Sequence, residues 1–292
     1  MKKHYAIFSA ILAAALYALN APMSKLLLRN VPPSMMAALL YLGAGLGMLV
    51  MGLVRKTTGM PCAEQRLTRK DLPYAIGMIV LDILAPIFLM IGISRTTAAN
   101  ASLLNNFEIV ATSLIALLIF KEKISRRLWS AIGLIVFSSV LLTAEDASSL
   151  QLSMGSVFVL LASCCWGLEN NCTRMLSQSD PQEIVIVKGI GSGAGALIVA
   201  LLTGESFPAW GYVPATLALG FVAYGLSIYF YVYAQRYLGA ARTSACYAVA
   251  PFIGALLSLI IFRDWPGGLF FAALVVMIVA TALVAKDQAE AE

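Results

Sequence analysis

Leu16-Tyr17-Ala18-Leu19-Asn20-Ala21-Pro22-Met23-Ser24-Lys25-Leu26-Leu27 lines up with Cys165-Trp166-Gly167-Leu168-Glu169-Asn170-Asn171-Cys172-Thr173-Arg174-Met175-Leu176. An aromatic residue, a polar midsection and a basic end recur in both at a constant offset. Farther along each half, Leu117-Leu118-Ile119-Phe120-Lys121-Glu122 matches Leu259-Ile260-Ile261-Phe262-Arg263-Asp264. The chain therefore reads as two related units, residues 1–147 and 148–292. The apolar runs holding these motifs are long and continuous. In the first unit they cover Tyr5–Leu28, Met35–Val54, Leu72–Ser94, Ala98–Phe120 and Leu128–Thr143. In the second they cover Met154–Leu176, Pro181–Thr203, Val213–Gln235, Ala241–Phe262 and Gly268–Ala285. Five spans per unit is an odd number, so the second unit must enter the membrane from the opposite side. The spacing thus predicts an all-α polytopic membrane protein of ten transmembrane helices, arranged as a 5+5 inverted repeat.

Composition supports a membrane protein independently. Of 292 residues, 60% are hydrophobic and 12% charged, against roughly 45–50% and about 25% in soluble globular domains. A soluble enzyme, a secreted disulfide scaffold and a disordered chain are excluded. A transmembrane β-barrel would show alternating segments of about ten residues, whereas these runs approach the ~20 residues a helix needs to cross. Lys2 and Lys3 precede the first run as in a signal peptide, but that run continues past Asn20 and Pro22 to Leu28, beyond an h-region of about 7–15 residues. It reads as a helix.

Charge fixes the orientation. With the amino terminus inside, fifteen lysines and arginines fall on the cytoplasmic side, concentrated in Arg55–Lys70 and Lys121–Arg127. Four fall outside (Lys25, Arg29, Arg95 and Arg263), and Lys188 lies within a span. By the positive-inside rule both tails are cytoplasmic and the chain resides in a cell membrane. Net charge +5 arises from these short connections rather than from a basic face, so no nucleic-acid partner is expected. Cys164, Cys165, Cys172 and Cys246 lie in apolar runs and Cys62 in a connection, without a framework spacing.

The two five-span halves, each ending in a Phe-Lys-Glu-Lys-like box before a short last helix, resemble the EamA-type members of the drug/metabolite transporter superfamily. The resemblance covers essentially the whole chain. It implies small-metabolite transport by alternating access, often export, through a cavity formed mainly by helices other than the fifth and tenth. It also implies a proline midway along the fourth and ninth helices. Pro251 fits in the ninth; the fourth has Ile109 there, after Asn105-Asn106-Phe107-Glu108, and departs from the pattern.

Charged groups inside spans mark the candidate site, because each costs at least about 2.5–3.5 kcal/mol at mid-bilayer. Asp82, Glu108, Glu169 and Lys188 are such groups. If all were ionised, a shared cavity would carry about two excess negative charges; burial favours the uncharged forms, which proton coupling requires. Helical spacing gathers polar neighbours beside them. Asn105, Glu108 and Thr112 share a face, as do Trp166, Glu169, Asn170 and Thr173. Further stripes are Tyr17, Asn20, Ala21 and Ser24; Tyr224, Ser227 and Tyr231; and Ser244, Tyr247 and Pro251. Such stripes must face protein or water rather than lipid. The expected substrate-binding set is Tyr17, Asn20, Asp82, Asn105, Glu108, Trp166, Glu169, Asn170, Lys188, Tyr224, Ser227 and Tyr247. Aromatic faces with carboxylates suit a cationic or zwitterionic solute. Competing readings stand beside this one. The carboxylates could make interhelical hydrogen bonds worth about 0.6 kcal/mol each. Lys188 could snorkel to the headgroups or neutralise a carboxylate, and Tyr17 and Trp166 could be interfacial belt residues.

Pro22, Pro86 and Pro251 are expected to interrupt their helices. Gly43-Ala44-Gly45-Leu46-Gly47 and Gly189-Ile190-Gly191-Ser192-Gly193-Ala194-Gly195 are expected to let helices approach closely. The second run lacks the preceding strand and Lys-Ser ending of a phosphate loop. His4 is the one histidine, so a serine–histidine pair within the membrane or a His/Cys metal cluster is not expected. The sequence points to a secondary carrier, not an enzyme, of a small amphiphilic metabolite such as an amino acid or organic amine. No cofactor is expected. The partners are the substrate, the lipid bilayer and protons as a candidate coupling ion, and the protein is a monomer or homodimer. A channel or membrane sensor is the alternative, an intramembrane enzyme a lesser one.

Overall fold

The computed structural model describes residues 2–57, 67–121, 124–145, 150–176, 179–238 and 246–290, and helices make up its regular structure. The first half comprises α1 (Lys2–Ala18), α2 (Asn20–Leu27), α3 (Pro33–Thr57), α4 (Leu72–Arg95), α5 (Ala98–Leu104), α6 (Phe107–Phe120) and α7 (Arg126–Glu145). The second comprises α8 (Leu150–Leu176), α9 (Pro181–Leu202), α10 (Tyr212–Gly220), a π-helical turn (Phe221–Leu226), α11 (Ser227–Leu238), α12 (Ala250–Phe262) and α13 (Gly268–Glu290). Ser244 and Cys62 lie outside the described residues. Among the described residues, eight stretches are long and apolar enough to cross a membrane, where ten spans are expected. The 27-residue α8 is not among them and holds the polar run Glu169-Asn170-Asn171, while α12 is apolar but has 13 residues. Side chains such as Leu202, Ile198, Val275 and Leu53 stand exposed around the bundle, as a lipid-facing surface requires.

The breaks have local causes. Pro22 has no N–H to give the carbonyl four residues back, at Ala18, and α1 ends there. Pro251 stands likewise four residues after Tyr247, and the chain turns at Ala248-Val249 before α12 begins. Pro86 behaves differently from the expectation: α4 stays helical through it, because its flanking turns are held in the packed interior. The fourth span breaks without a proline. Between α5 and α6, Asn106 Nδ2 donates to Leu103 O at 3.3 Å, while Glu108 N and Ile109 N bond three residues back to Asn105 and Asn106. An asparagine amide competing for backbone carbonyls replaces the regular ladder with turns.

Packing follows one scheme. The helix α4 lies along α8, and α1 along α11; α3 crosses α9, α5 meets α12 and α7 meets α13. The helix α6 runs beside α8, as α12 does beside α1. If the halves are matched span by span in chain order, these pairs map onto one another. Lys121 and Arg263, the residues closing the matched Leu-Leu-Ile-Phe and Leu-Ile-Ile-Phe runs, are the non-glycine residues with positive φ among those described, at 55° and 54°. Two equivalent sequence boxes thus end their helices with the same left-handed residue.

The α3/α9 crossing is glycine-dependent, as the sequence led one to expect. A Cβ at Gly45 would stand 2.7 Å from Ile190 N, and one at Gly189 would stand 2.8 Å from Tyr41 O. Helix ends are satisfied by charged side chains. Glu205 accepts from Ser34 N at 3.1 Å and Met35 N at 2.8 Å at the start of α3. Lys25 Nζ donates to Ile93 O and Thr96 O, at 2.5 and 2.6 Å, at the end of α4. The last helix spans the bundle: Ser125 Oγ touches Asp287 near its carboxyl end, whereas Arg263 precedes its start.

Candidate functional site

The helix α4 delivers Asp82, α8 delivers Glu169 and α9 delivers Lys188 to one point in the bundle. Lys188 Nζ lies 3.0 Å from Asp82 Oδ2 and 2.9 Å from Glu169 Oε1. These residues are 0%, 2% and 8% exposed for Asp82, Glu169 and Lys188. Lysine 188 therefore neutralises carboxylates and does not snorkel. The other oxygen of Asp82, Oδ1, accepts from Tyr41 OH at 2.9 Å and from Trp166 Nε1 at 3.2 Å. Thr173 Oγ1 donates to Glu169 Oε1, one turn along the same helix. Trp166 is buried and bonded here, so the interfacial-belt reading fails for it; Trp129, Trp210 and Trp265 are the exposed tryptophans. The i, i+3, i+7 stripe of α8 thus serves one polar point, as a 3.6-residue period allows.

A second group forms where α6 faces α8. Asn170 Nδ2 donates to Glu108 Oε1 at 2.6 Å and reaches Thr112 Oγ1 at 3.4 Å. Asn171 Nδ2 donates to Gly167 O at 2.8 Å.

A third group is aromatic. Tyr41, Tyr224, Tyr17, Tyr247 and Tyr231 form a continuous chain of rings with successive centroids 5.1, 6.0, 5.8 and 5.0 Å apart. Tyr17 thus sits within the bundle's aromatic chain. Asn20 Nδ2 donates to Tyr224 OH at 2.9 Å and Ser24 Oγ to Asn20 Oδ1 at 3.0 Å. Asn105 Nδ2 reaches Tyr17 OH at 3.4 Å, while its Oδ1 is buried without a hydrogen-bond partner. Ser227 Oγ donates to Ala13 O at 2.9 Å and lies 3.4 Å from Tyr247 OH. Tyr224 sits in the π-helical turn, a widened geometry that recurs at functional sites.

All twelve sequence-derived residues therefore fall into three adjoining groups. Tyr41 joins the ion-paired group to the tyrosine chain and is absent from the expected set. Its signal was available: it is the one residue with a hydrogen-bonding side chain in the run Met35–Val54. None of these residues lies on α7 or α13, which pack on each other at the side of the bundle. A cavity of about 670 Å³ opens elsewhere, at the end bearing Lys25, Arg29 and Arg263, and does not enclose the ion-paired group. The geometry offers acceptors for N–H groups, aromatic faces for a cation and a fixed ammonium, all within a helical interior.

Known proteins provide the context. The pattern defining the EamA-like transporter family matches residues 4–144 and 153–286. A protein of Methanothermobacter thermautotrophicus described as an uncharacterized transporter is 26% identical over 284 residues, covering 90% of this chain and 81% of its own. One protein of known crystal structure has the same fold at a TM-score of 0.69 and 18% identity, over 95% of this chain and 94% of that one. With the family pattern matched along nearly its whole length, this multi-pass membrane protein belongs to the EamA-like transporter family.

Proposed function

We propose that the chain is a secondary active exporter of a small amphiphilic metabolite bearing an ammonium group, an amino acid or organic amine, and that it works by alternating access. The observation that carries this reading is the tyrosine chain. Tyr17, Tyr224 and Tyr247 stack beside Asn20 and Asn105, and Asn105 Oδ1 is a buried acceptor without a donor. An alkylammonium supplies the missing donor and sits favourably on aromatic faces. Glu108, held by Asn170, offers the opposite charge. Asp82, Trp166, Glu169, Lys188 and Ser227 complete the binding region, with protons as the coupling ion.

Alternating access draws support from the exchange symmetry of the helix pairs and from the matched left-handed residues Lys121 and Arg263. An inverted 5+5 repeat, 1–147 and 148–292, would make the two faces of the site interchangeable. The excess of cations on one side supports cytoplasmic termini and residence in the cytoplasmic membrane. The test is a thermal-shift screen of amino acids, amines and nucleosides on the purified protein, followed by counterflow in proteoliposomes. A stabilising amine that exchanges against its own gradient, with both effects lost in Glu108→Gln, supports the reading. Stabilisation by nucleosides alone, or ionic conductance without counterflow, overturns it.

A further inference from the structure

We propose that the Asp82–Lys188–Glu169 group, which adjoins the tyrosine chain within the binding region, is a proton-binding site that holds one exchangeable proton on its carboxylate pair. The inference rests on the transporter reading only for what the proton is used for; the site itself rests on geometry. Two carboxylates share a single ammonium, at 3.0 and 2.9 Å, and all three residues are more than nine-tenths buried. Fully ionised, the group carries one uncompensated negative charge in a low-dielectric interior, where an unpaired charge is strongly unfavourable. One proton added to either carboxylate brings the group to neutrality; no bond breaks and no other reactant is needed.

Among the described residues the surroundings supply no second cation. From α3 the group meets Tyr41, a neutral hydroxyl donating to Asp82. From α8 it meets Trp166 and Thr173, which donate hydrogen bonds, with the thiols of Cys165 and Cys172 nearby. Tyr224 in the π-helical turn stacks on Tyr41. Toward α6 the next charged group is Glu108, a third carboxylate, which adds to the imbalance. Among the described residues Lys188 is therefore the cation of this interior. A metal cation is disfavoured there because the ammonium already occupies the space between the carboxylates. The two oxygens of Asp82 differ: Oδ2 is buried and lies 3.0 Å from Lys188 Nζ. Oδ1 already accepts two donors.

The site also lies beside the close α3/α9 crossing. Lys188 immediately precedes Gly189, whose backbone packs on Gly45 at the α3/α9 crossing. A rocking motion about that crossing leaves the ammonium in place while the helix ends move, as a fixed site with alternating access requires.

The experiment uses the full chain in lipid and the proton as its own probe. Infrared difference spectra of the reconstituted protein are recorded from about pH 4 to about pH 9 and read at the protonated carboxyl band. The expected result is a carboxyl protonation step, distinct from that of the exposed carboxylates at the acid end, that disappears in Asp82→Asn and in Glu169→Gln and persists in Glu108→Gln. Each variant is first checked for a cooperative thermal transition; if one of the pair does not fold, the other is read. No such step in the native protein, or a step that survives both triad variants and vanishes in Glu108→Gln, overturns the proposal. A step of the expected kind in a protein that shows no counterflow leaves the proton site standing and removes the transporter reading; counterflow without the step does the reverse.

Discussion

Lys188 reaches from α9 to Asp82 on α4 and holds its ammonium 3.0 Å from the carboxylate, with a second carboxylate, Glu169, 2.9 Å away on the other side. Three helices are thereby joined through one nitrogen. Removing that nitrogen leaves two buried carboxylates facing each other without compensation. Breaking a buried ion pair from one side typically costs about 3–5 kcal/mol. Lys188→Met should lower stability by an amount of that order, read as a clear drop of the thermal midpoint in detergent. Adding Asp82→Asn and Glu169→Gln to the same chain should recover most of the loss, since apolar or neutral replacement of a whole buried pair is close to neutral. A triple variant no more stable than Lys188→Met would show that the charge imbalance is not the source of the loss.

The tie between Trp166 and Asp82 gives a smaller effect. Trp166→Phe keeps the ring but deletes the Nε1–H that reaches Oδ1 at 3.2 Å. Hydrogen bonds to charged groups contribute about 1.5–3 kcal/mol. Tyr41→Phe deletes the other donor to the same oxygen. Each single variant should lower stability by about that amount, and the double variant should fall short of or exceed their sum, because both act on one atom. Strict additivity in a double-mutant cycle of chemical or thermal unfolding would place the two donors on independent acceptors.

How far the sequence carried this site depends on which signal each residue gave. The charged groups stood out because any charge inside an apolar run demands a partner; Asp82, Glu169 and Lys188 found one another, and Glu108 found the amide of Asn170. The stripes of α8 and α1 followed from a 3.6-residue period and two aligned motifs. Tyr41 escaped because a single hydroxyl in an apolar run breaks no rule of composition; only the approach of α4 shows what it bonds. Pro86 misled for the opposite reason. A proline announces a missing hydrogen bond, yet whether the helix yields depends on packing around it, and α4 holds. The turn at Asn105-Asn106 was hidden because asparagine breaks a helix through its side chain rather than through a fixed φ.

The α3/α9 crossing should tolerate almost no side chain at Gly45 or Gly189. Their Cβ positions meet backbone atoms, Ile190 N at 2.7 Å and Tyr41 O at 2.8 Å, which cannot rotate aside. Overpacking of this kind costs about 1–3 kcal/mol and more where backbone must move. Gly45→Val and Gly189→Val should each reduce the yield of folded protein and the thermal midpoint. Gly133→Ala, inside α7 where a Cβ would meet nothing within 4 Å, should lower neither and can raise the midpoint slightly. Equal effects at all three positions would mean that the crossing is not the tight point.

Lys121 and Arg263 provide the sharpest test of the opposed halves. They occupy equivalent places after Phe120 and Phe262 and share the same left-handed backbone, at φ 55° and 54°. The contact of Ser125 with Asp287 ties the first box to one end of α13, and Arg263 precedes the other end of that helix. If α13 crosses the bilayer, as its 23 residues permit, the two boxes must face opposite compartments. In a background with all five cysteines replaced by serine, Arg263→Cys should react with a membrane-impermeant maleimide added to intact cells. Lys121→Cys should react only after the membrane is opened. Labelling of both from the same side would remove the inverted arrangement and with it the exchange of inward- and outward-facing states. The cations flanking Lys121, Arg126 and Arg127 with it, predict which side that is: the cytoplasmic one, since basic connections resist translocation.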